Sequence, residues 1–161
     1  MATWREVADQ APELAAEVQR RFDAHRHKTL ATLRKDGSPR ISGIEASFKD
    51  GELWLGMMGG SQKARDLLRD PRLALHSASE DPPDDPAQSA QWTGDAKVAG
   101  RGVEVTDPAR LAEFGPEPGE PFHLFRVHLT EAVLTRVGDP PDHLVIEFWH
   151  EGQGLRRVER K

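Results

Sequence analysis

Three stretches of this chain hold residue types whose spacing permits chemistry. The first is Gly59-Gly60-Ser61-Gln62-Lys63. Glycines let a ligand approach the backbone, and the residues that follow read as a helix, whose first turn offers free N–H groups at the positive end of a dipole. Ser61 adds a hydroxyl and Lys63 a positive charge, so the stretch describes an anion site suited to a phosphate. It is not the Walker form, and it equally describes an ordinary capped helix with a solvated lysine. The second is Arg40, at the start of a strand that pairs with the next through the hairpin Lys49-Asp50-Gly51. Cross-strand pairing is expected to bring it near Lys63, two cations and a helix terminus then converging on one spot. The third is Ile146-Glu147-Phe148-Trp149-His150, followed by Arg156, Arg157 and Arg160. Trp149 is flat and large enough to cover an aromatic ring, and it suits a core position equally well.

Other chemistries are poorly supplied. The chain has 161 residues with no cysteine and no tyrosine, which removes thiol nucleophiles, Cys-ligated metals and a Tyr acid or base. The seven histidines are scattered without the spacing of a metal site, no Gly-x-Ser-x-Gly elbow occurs, and nothing marks Glu45 and Glu52 as an acid/base pair. A net charge of −5 argues against nucleic acid as a partner. No apolar run reaches a membrane-spanning length, and the N-terminus lacks a signal-peptide pattern. The reading is therefore a cytoplasmic protein with a small-molecule ligand.

These residues need a scaffold, and the length fits one domain spanning 1–161. Apolar residues at helical spacing predict an N-terminal helix over about 4–24, with Thr3 and Glu6 as a capping box. A barrel follows over about 28–161. Its strands are expected at Thr29–Leu33, Arg40–Phe48, Glu52–Met57, Arg72–Ser77, Lys97–Val105, Phe122–Val137 and Leu144–Trp149. Short helices are expected at Lys63–Arg69, with Ala64, Leu67 and Leu68 on one face, and at Pro108–Phe114, capped by Asp107. Residues 79–91 read as an acidic solvated loop, and Gly100 and Gly102 as a barrel corner. The fold class is mainly β (α+β): a split antiparallel β-barrel with an N-terminal helix and short peripheral helices.

Residues 31–75 and the tail 146–160 together resemble the pyridoxamine 5′-phosphate oxidase-like family of flavin-binding split barrels. The resemblance implies a homodimer with FMN at the interface and oxidoreductase chemistry carried by the flavin, no side chain being needed as acid or base. It implies that Arg40, Ser61, Gln62 and Lys63 hold the FMN phosphate and that Ile41, Ser42, Gly43, Leu55 and Gly56 line the ring. Trp149 and Arg160 would close over it from the other subunit. The flavin half of the pattern is kept and the substrate half is altered. Val158 replaces a histidine of the tail motif, and Glu45 stands where the oxidase has a lysine that helps hold the substrate phosphate, so a substrate other than pyridoxamine 5′-phosphate is expected. Two further expectations keep the fold. One exchanges FMN for an 8-hydroxy-5-deazaflavin coenzyme, with Arg65 and Arg69 near its longer tail. The other is a flavin carrier or sensor without turnover.

Overall fold

The computed structural model describes residues 1–161. In place of a single N-terminal helix it has two, α1 (Trp4–Gln10) and α2 (Pro12–Asp23). The break is at Pro12, whose ring disfavours the helical conformation for the residue before it. Ala11 accordingly sits at φ −144°, ψ 67°, and Pro12 opens the second helix. The capping box of Thr3 and Glu6 forms as expected.

The strands are β1 (His27–Leu33), β2 (Pro39–Lys49), β3 (Glu52–Met58), β4 (Arg72–His76), β5 (Asp95–Glu104), β6 (Phe122–Val137), β7 (Leu144–His150) and β8 (Gly154–Arg160). The helices α3 (Gln62–Arg69) and α4 (Pro108–Phe114) lie between β3 and β4 and between β5 and β6. At the β2–β3 hairpin Asp50 and Gly51 take φ 56° and 77°, both left-handed, which matches the twist of the paired strands. All strands belong to one antiparallel sheet in the order β3-β2-β1-β4-β5-β6-β7-β8, and an additional β3–β6 pairing closes the first six into a barrel. The residue before Gly100 is a register shift, and a side chain at Gly100 would run into the His128 carbonyl, so the expected corner is a bulge. The basic tail, expected only as a charged segment, is the exposed edge strand β8.

The 16-residue β6 serves two neighbours on one edge. Its first half pairs with β3, from Met58↔Phe122 to Leu53↔Val127, and its second half pairs with β7, from Glu131↔His150 to Val137↔Leu144. Alternation along β6 sends Phe125, Val127 and Leu129 into the core and leaves Arg126, His128 and Thr130 facing out. Trp4, Val7, Leu14, Val18 and Phe22 of the two helices join Leu30, Leu53, Leu75, Val98 and Phe125 in one buried cluster. Each such side chain contributes ~2 kcal/mol on burial.

Candidate functional site: a glycine strip beside the start of α3

β3 runs into Gly59-Gly60-Ser61 and the chain turns sharply. Gly60 sits at φ 70°, a conformation glycine adopts at little cost. The turn is pinned by Gly59 N–H donating to Pro121 O (3.0 Å) and Gly60 N–H donating to His123 Nε2 (3.3 Å). Because Nε2 accepts, the His123 proton lies on Nδ1 and is donated to Glu104 Oε1 at 2.7 Å. Ser61 is the N-cap residue of α3, yet its side chain makes no cap bond. Its Oγ is buried and has no hydrogen-bond partner at all. An unmade bond on a buried hydroxyl costs about 1–3 kcal/mol, so this is an atom awaiting a partner. The unpaired N–H groups of the first turn of α3 stand beside it.

Lys63 is the second residue of α3 and donates from Nζ to the carbonyl of Gly43 at 2.7 Å. Gly43 faces out of the barrel, and a Cβ placed there would meet nothing within 4 Å. Gly56 pairs with Glu45 on the same face, and a Cβ there would come within 2.7 Å of Phe122 Cζ. The result is bare backbone at Gly43, with Lys63 at one end and the Phe122 ring against Gly56 at the other. It floors a depression of about 260 Å³ lined by His27, Gly43, Glu45, Met58, Lys63 and Phe122 among others. Ile41 and Met58 stand on its margins with 75% and 81% of their surfaces exposed.

Arg40 is elsewhere. The β2–β3 ladder begins only at Glu45↔Gly56, so Arg40 has no partner on β3 and pairs instead with Thr32 of β1. Its Nε donates to Asp66 Oδ2 at 2.7 Å. Asp66 also accepts from Thr32 Oγ1 (2.8 Å) and Arg69 (3.0 Å) and is only 2% exposed. Burial alone would push its carboxyl up, but the bonds from Arg40, Arg69 and Thr32 outweigh it and hold the group below the ordinary carboxylate range. Arg40 lines a separate depression of about 600 Å³ with Arg34, Lys35, Asp36, Gln62, Asp66 and Arg69. The expected convergence of Arg40 and Lys63 on one spot is therefore corrected: they lie in two depressions that flank the first turn of α3. The residue that sequence reasoning missed is Asp66. It takes the buried position expected of Leu68, which is 53% exposed. A polar residue on the apolar face of a short helix, three positions from Arg69, was the available signal.

Two other expected ring contacts fail within the protomer. Leu55 is fully buried and points into the barrel. Trp149 is fully buried too, and its indole N–H donates to Gln10 Oε1 at 2.9 Å, so it has no face left for a ligand. Ser42 is half-buried, on the same face of β2 as Arg40 and Ile44. Arg160 pairs with Leu144, which pairs with Val137 at the far end of β6. That places it on the order of 40 Å along the strand from Leu124, the partner of Gly56. The histidines are mostly held singly by a carboxylate, as in His25–Glu80 and His150–Glu131, and no group of three His, Asp or Glu is placed to hold a metal ion. No helix is long and apolar enough to cross a membrane.

A closed antiparallel barrel with a bare glycine strip and an anion-ready helix start defines the class. A model of the family described as pyridoxamine 5′-phosphate oxidase matches residues 14–136, and the chain belongs to that family. Among solved structures, it is similar to a pyridoxamine 5′-phosphate oxidase-related, FMN binding protein from Nostoc punctiforme (15% identity, TM-score 0.64), with 100% of this chain and 98% of that one covered. It is similar to PhzG from Burkholderia lata, solved with tetrahydrophenazine-1-carboxylic acid (13% identity, TM-score 0.61, 98% and 92% covered). The General Stress Protein 26 of Bacillus anthracis matches at 16% identity and TM-score 0.58, covering 74% of this chain and 91% of that one. At these identities the likeness is one of fold. No curated protein matches the chain in sequence.

Proposed function

We propose that the chain binds FMN on the glycine strip and acts as a flavin-dependent oxidoreductase on a substrate other than pyridoxamine 5′-phosphate. The observation that carries this reading is the pairing of open space over the Gly43 backbone, walled by the Phe122 ring against Gly56, with a buried, unpartnered Ser61 hydroxyl at the start of α3. A flat ring fits where no side chain projects, and a phosphate supplies what Ser61 and the first-turn N–H groups lack. Lys63 adds charge, released from the Gly43 carbonyl at little cost because that bond is exposed. Gln62 stands on the other side of the same turn, with Arg40 beyond it in the neighbouring depression. When bound, the flavin supplies two-electron redox chemistry, and the chain supplies grip, orientation and exclusion of water.

A second copy of the chain completes the reading. The strip is open, Ile41 and Met58 are exposed beside it, and Arg160 reaches a flavin only from another protomer, as the resemblance implies. The cations Arg34, Lys35, Arg40 and Arg69 next to Gln62 favour one alternative, a deazaflavin coenzyme whose longer anionic tail would reach them.

Flavin-free protein titrated with FMN should quench flavin fluorescence at one site per chain; absence of binding at micromolar FMN ends the proposal, and tighter binding of the deazaflavin shifts it to the alternative. Anaerobic reduction of the loaded protein by a nicotinamide, then reoxidation by candidate acceptors, separates an enzyme from a carrier, which would not turn over.

A further inference from the structure

Three consecutive amides hold the turn from β3 into α3 in place. Gly59 N–H donates to Pro121 O (3.0 Å) and Ser61 N–H to Met58 O (3.2 Å), both backbone acceptors. The amide between them, Gly60 N–H, donates to a side chain instead, His123 Nε2 at 3.3 Å. A carbonyl accepts at every pH. An imidazole accepts only while it is neutral, and its charge is the one that ordinarily changes between about pH 5 and pH 8.

His123 is built to be that acceptor. It pairs with Met57 near the start of β6, and its ring stacks along Phe125 with centroids 6.3 Å apart. Its Nδ1 lies 2.7 Å from Glu104 Oε1 of β5. In the neutral ring the carboxylate takes the Nδ1 proton's bond and leaves Nε2 bare toward Gly60. The same carboxylate also stabilises the imidazolium, so the pair supports both states of the ring. A protonated ring would set Nε2–H against Gly60 N–H, two donors facing each other. The other charged groups around the ring are Arg65 of α3, whose Nη2 lies 3.9 Å from the Cβ position of Gly60, and Glu117 and Glu120 in the segment leading into β6. None of these bonds to His123, and Lys63 is turned away to Gly43.

Gly60 directly precedes Ser61, whose buried Oγ has no partner. Without its anchor the glycine at φ 70° is free to leave that conformation, and the aim of Ser61 goes with it. We infer that His123 is a positioning residue for the phosphate grip and that it works with Glu104 as a pH-sensitive latch. Neutral His123 holds the Gly60 turn ready for the ligand; its protonation releases the turn and weakens binding. The role rests on the flavin reading, while the latch is a property of the flavin-free chain.

FMN affinity, read by fluorescence quenching from about pH 8 to pH 5, tests it in wild type, His123→Gln, His123→Phe and Glu104→Gln. The FMN phosphate itself gains a proton near about pH 6 in every variant, so the reading is the difference between curves. His123→Gln offers an amide oxygen that accepts at every pH. Wild type should match it at the alkaline end and fall roughly fivefold below it at the acid end. His123→Phe keeps the ring without an acceptor and should bind as weakly at the alkaline end as the open latch does. Glu104→Gln should move the wild-type loss about one unit toward acid, because the imidazolium loses its counter-charge. Superimposable wild-type and Glu104→Gln curves, or a wild type that gains on His123→Gln in acid, overturns the inference. In flavin-free protein the Gly60 amide resonance should move with the ring resonances of His123 as pH falls; a still amide beside a titrating ring overturns it as well. A Gly60 amide that tracks His123 in protein that binds no FMN would sink the flavin reading and leave the latch.

Discussion

Two places in this molecule hold residues that looked functional in the sequence, and they differ in how their polar atoms are satisfied. At Trp149 every surface is covered by the protomer and the one polar atom has its partner in Gln10. At the start of α3, Ser61 Oγ is buried without a partner, Gly43 opens onto free space and Lys63 is parked on a neighbouring carbonyl. The first is a finished piece of core. The second is an incomplete one, where a buried hydroxyl lacking a partner stands beside open backbone that a ligand can cover. A large aromatic residue is a weaker pointer to a site than a small hydroxyl with nothing to bond.

That contrast can be broken by substitution. Trp149→Ala should cost about 3–5 kcal/mol of folding stability through the cavity it leaves, read by chemical denaturation, with FMN affinity unchanged per folded molecule; a stable variant that loses flavin would reverse the assignment. Asp66→Asn should cost about 3 kcal/mol by leaving Arg40 and Arg69 short of a buried counter-charge. Its pH dependence has a definite sign. The Asp66 carboxyl titrates lower in the folded state than in the unfolded one, so its contribution is complete above the ordinary carboxylate range and is lost as pH falls through the folded value. Wild type should lose more stability than Asp66→Asn on acidification from about pH 5 to pH 3; parallel curves would count against the ion cluster.

The remaining two substitutions act on the ligand. Ser61→Ala with Lys63→Ala should weaken FMN binding by about a hundredfold while changing stability little, since the pair removes an unmade bond and an exposed one. Gly43→Leu is the smallest and sharpest. Its Cβ meets nothing within 4 Å, so the fold should tolerate it. The side chain would stand where the ring is to lie and should weaken FMN about tenfold, by equilibrium fluorescence; undiminished affinity would place the ring elsewhere.

Much of the scaffold was legible in the chain. The meander, its Asp50-Gly51 hairpin, the corner at Gly100, α4 and the length of β6 follow from periodicity and turn residues, which act locally. The break at Ala11–Pro12 is legible in the proline, although the apolar spacing runs through it and by itself describes one helix. What periodicity does not encode is where a ladder stops. Perfect pairing of β2 and β3 carries Arg40 toward Ser61, but the strands part at Glu45 and Gly56, and Arg40 pairs with Thr32 of β1 and bonds to Asp66 instead. The same limit applies to Trp149, whose spacing suits a core and a lid equally until the neighbour at Gln10 is known.

Phe122 has one more role beyond walling the open space over Gly43. It is the first residue of the strand that seals the barrel, opposite Met58 in the β3–β6 ladder. Whatever rests on its ring presses on the seam of the cylinder, so occupancy and barrel closure share a single free energy. Ligand should therefore slow amide exchange along Leu53–Met58 and raise the melting temperature, and a slackened seam should in turn weaken the ligand to the same extent.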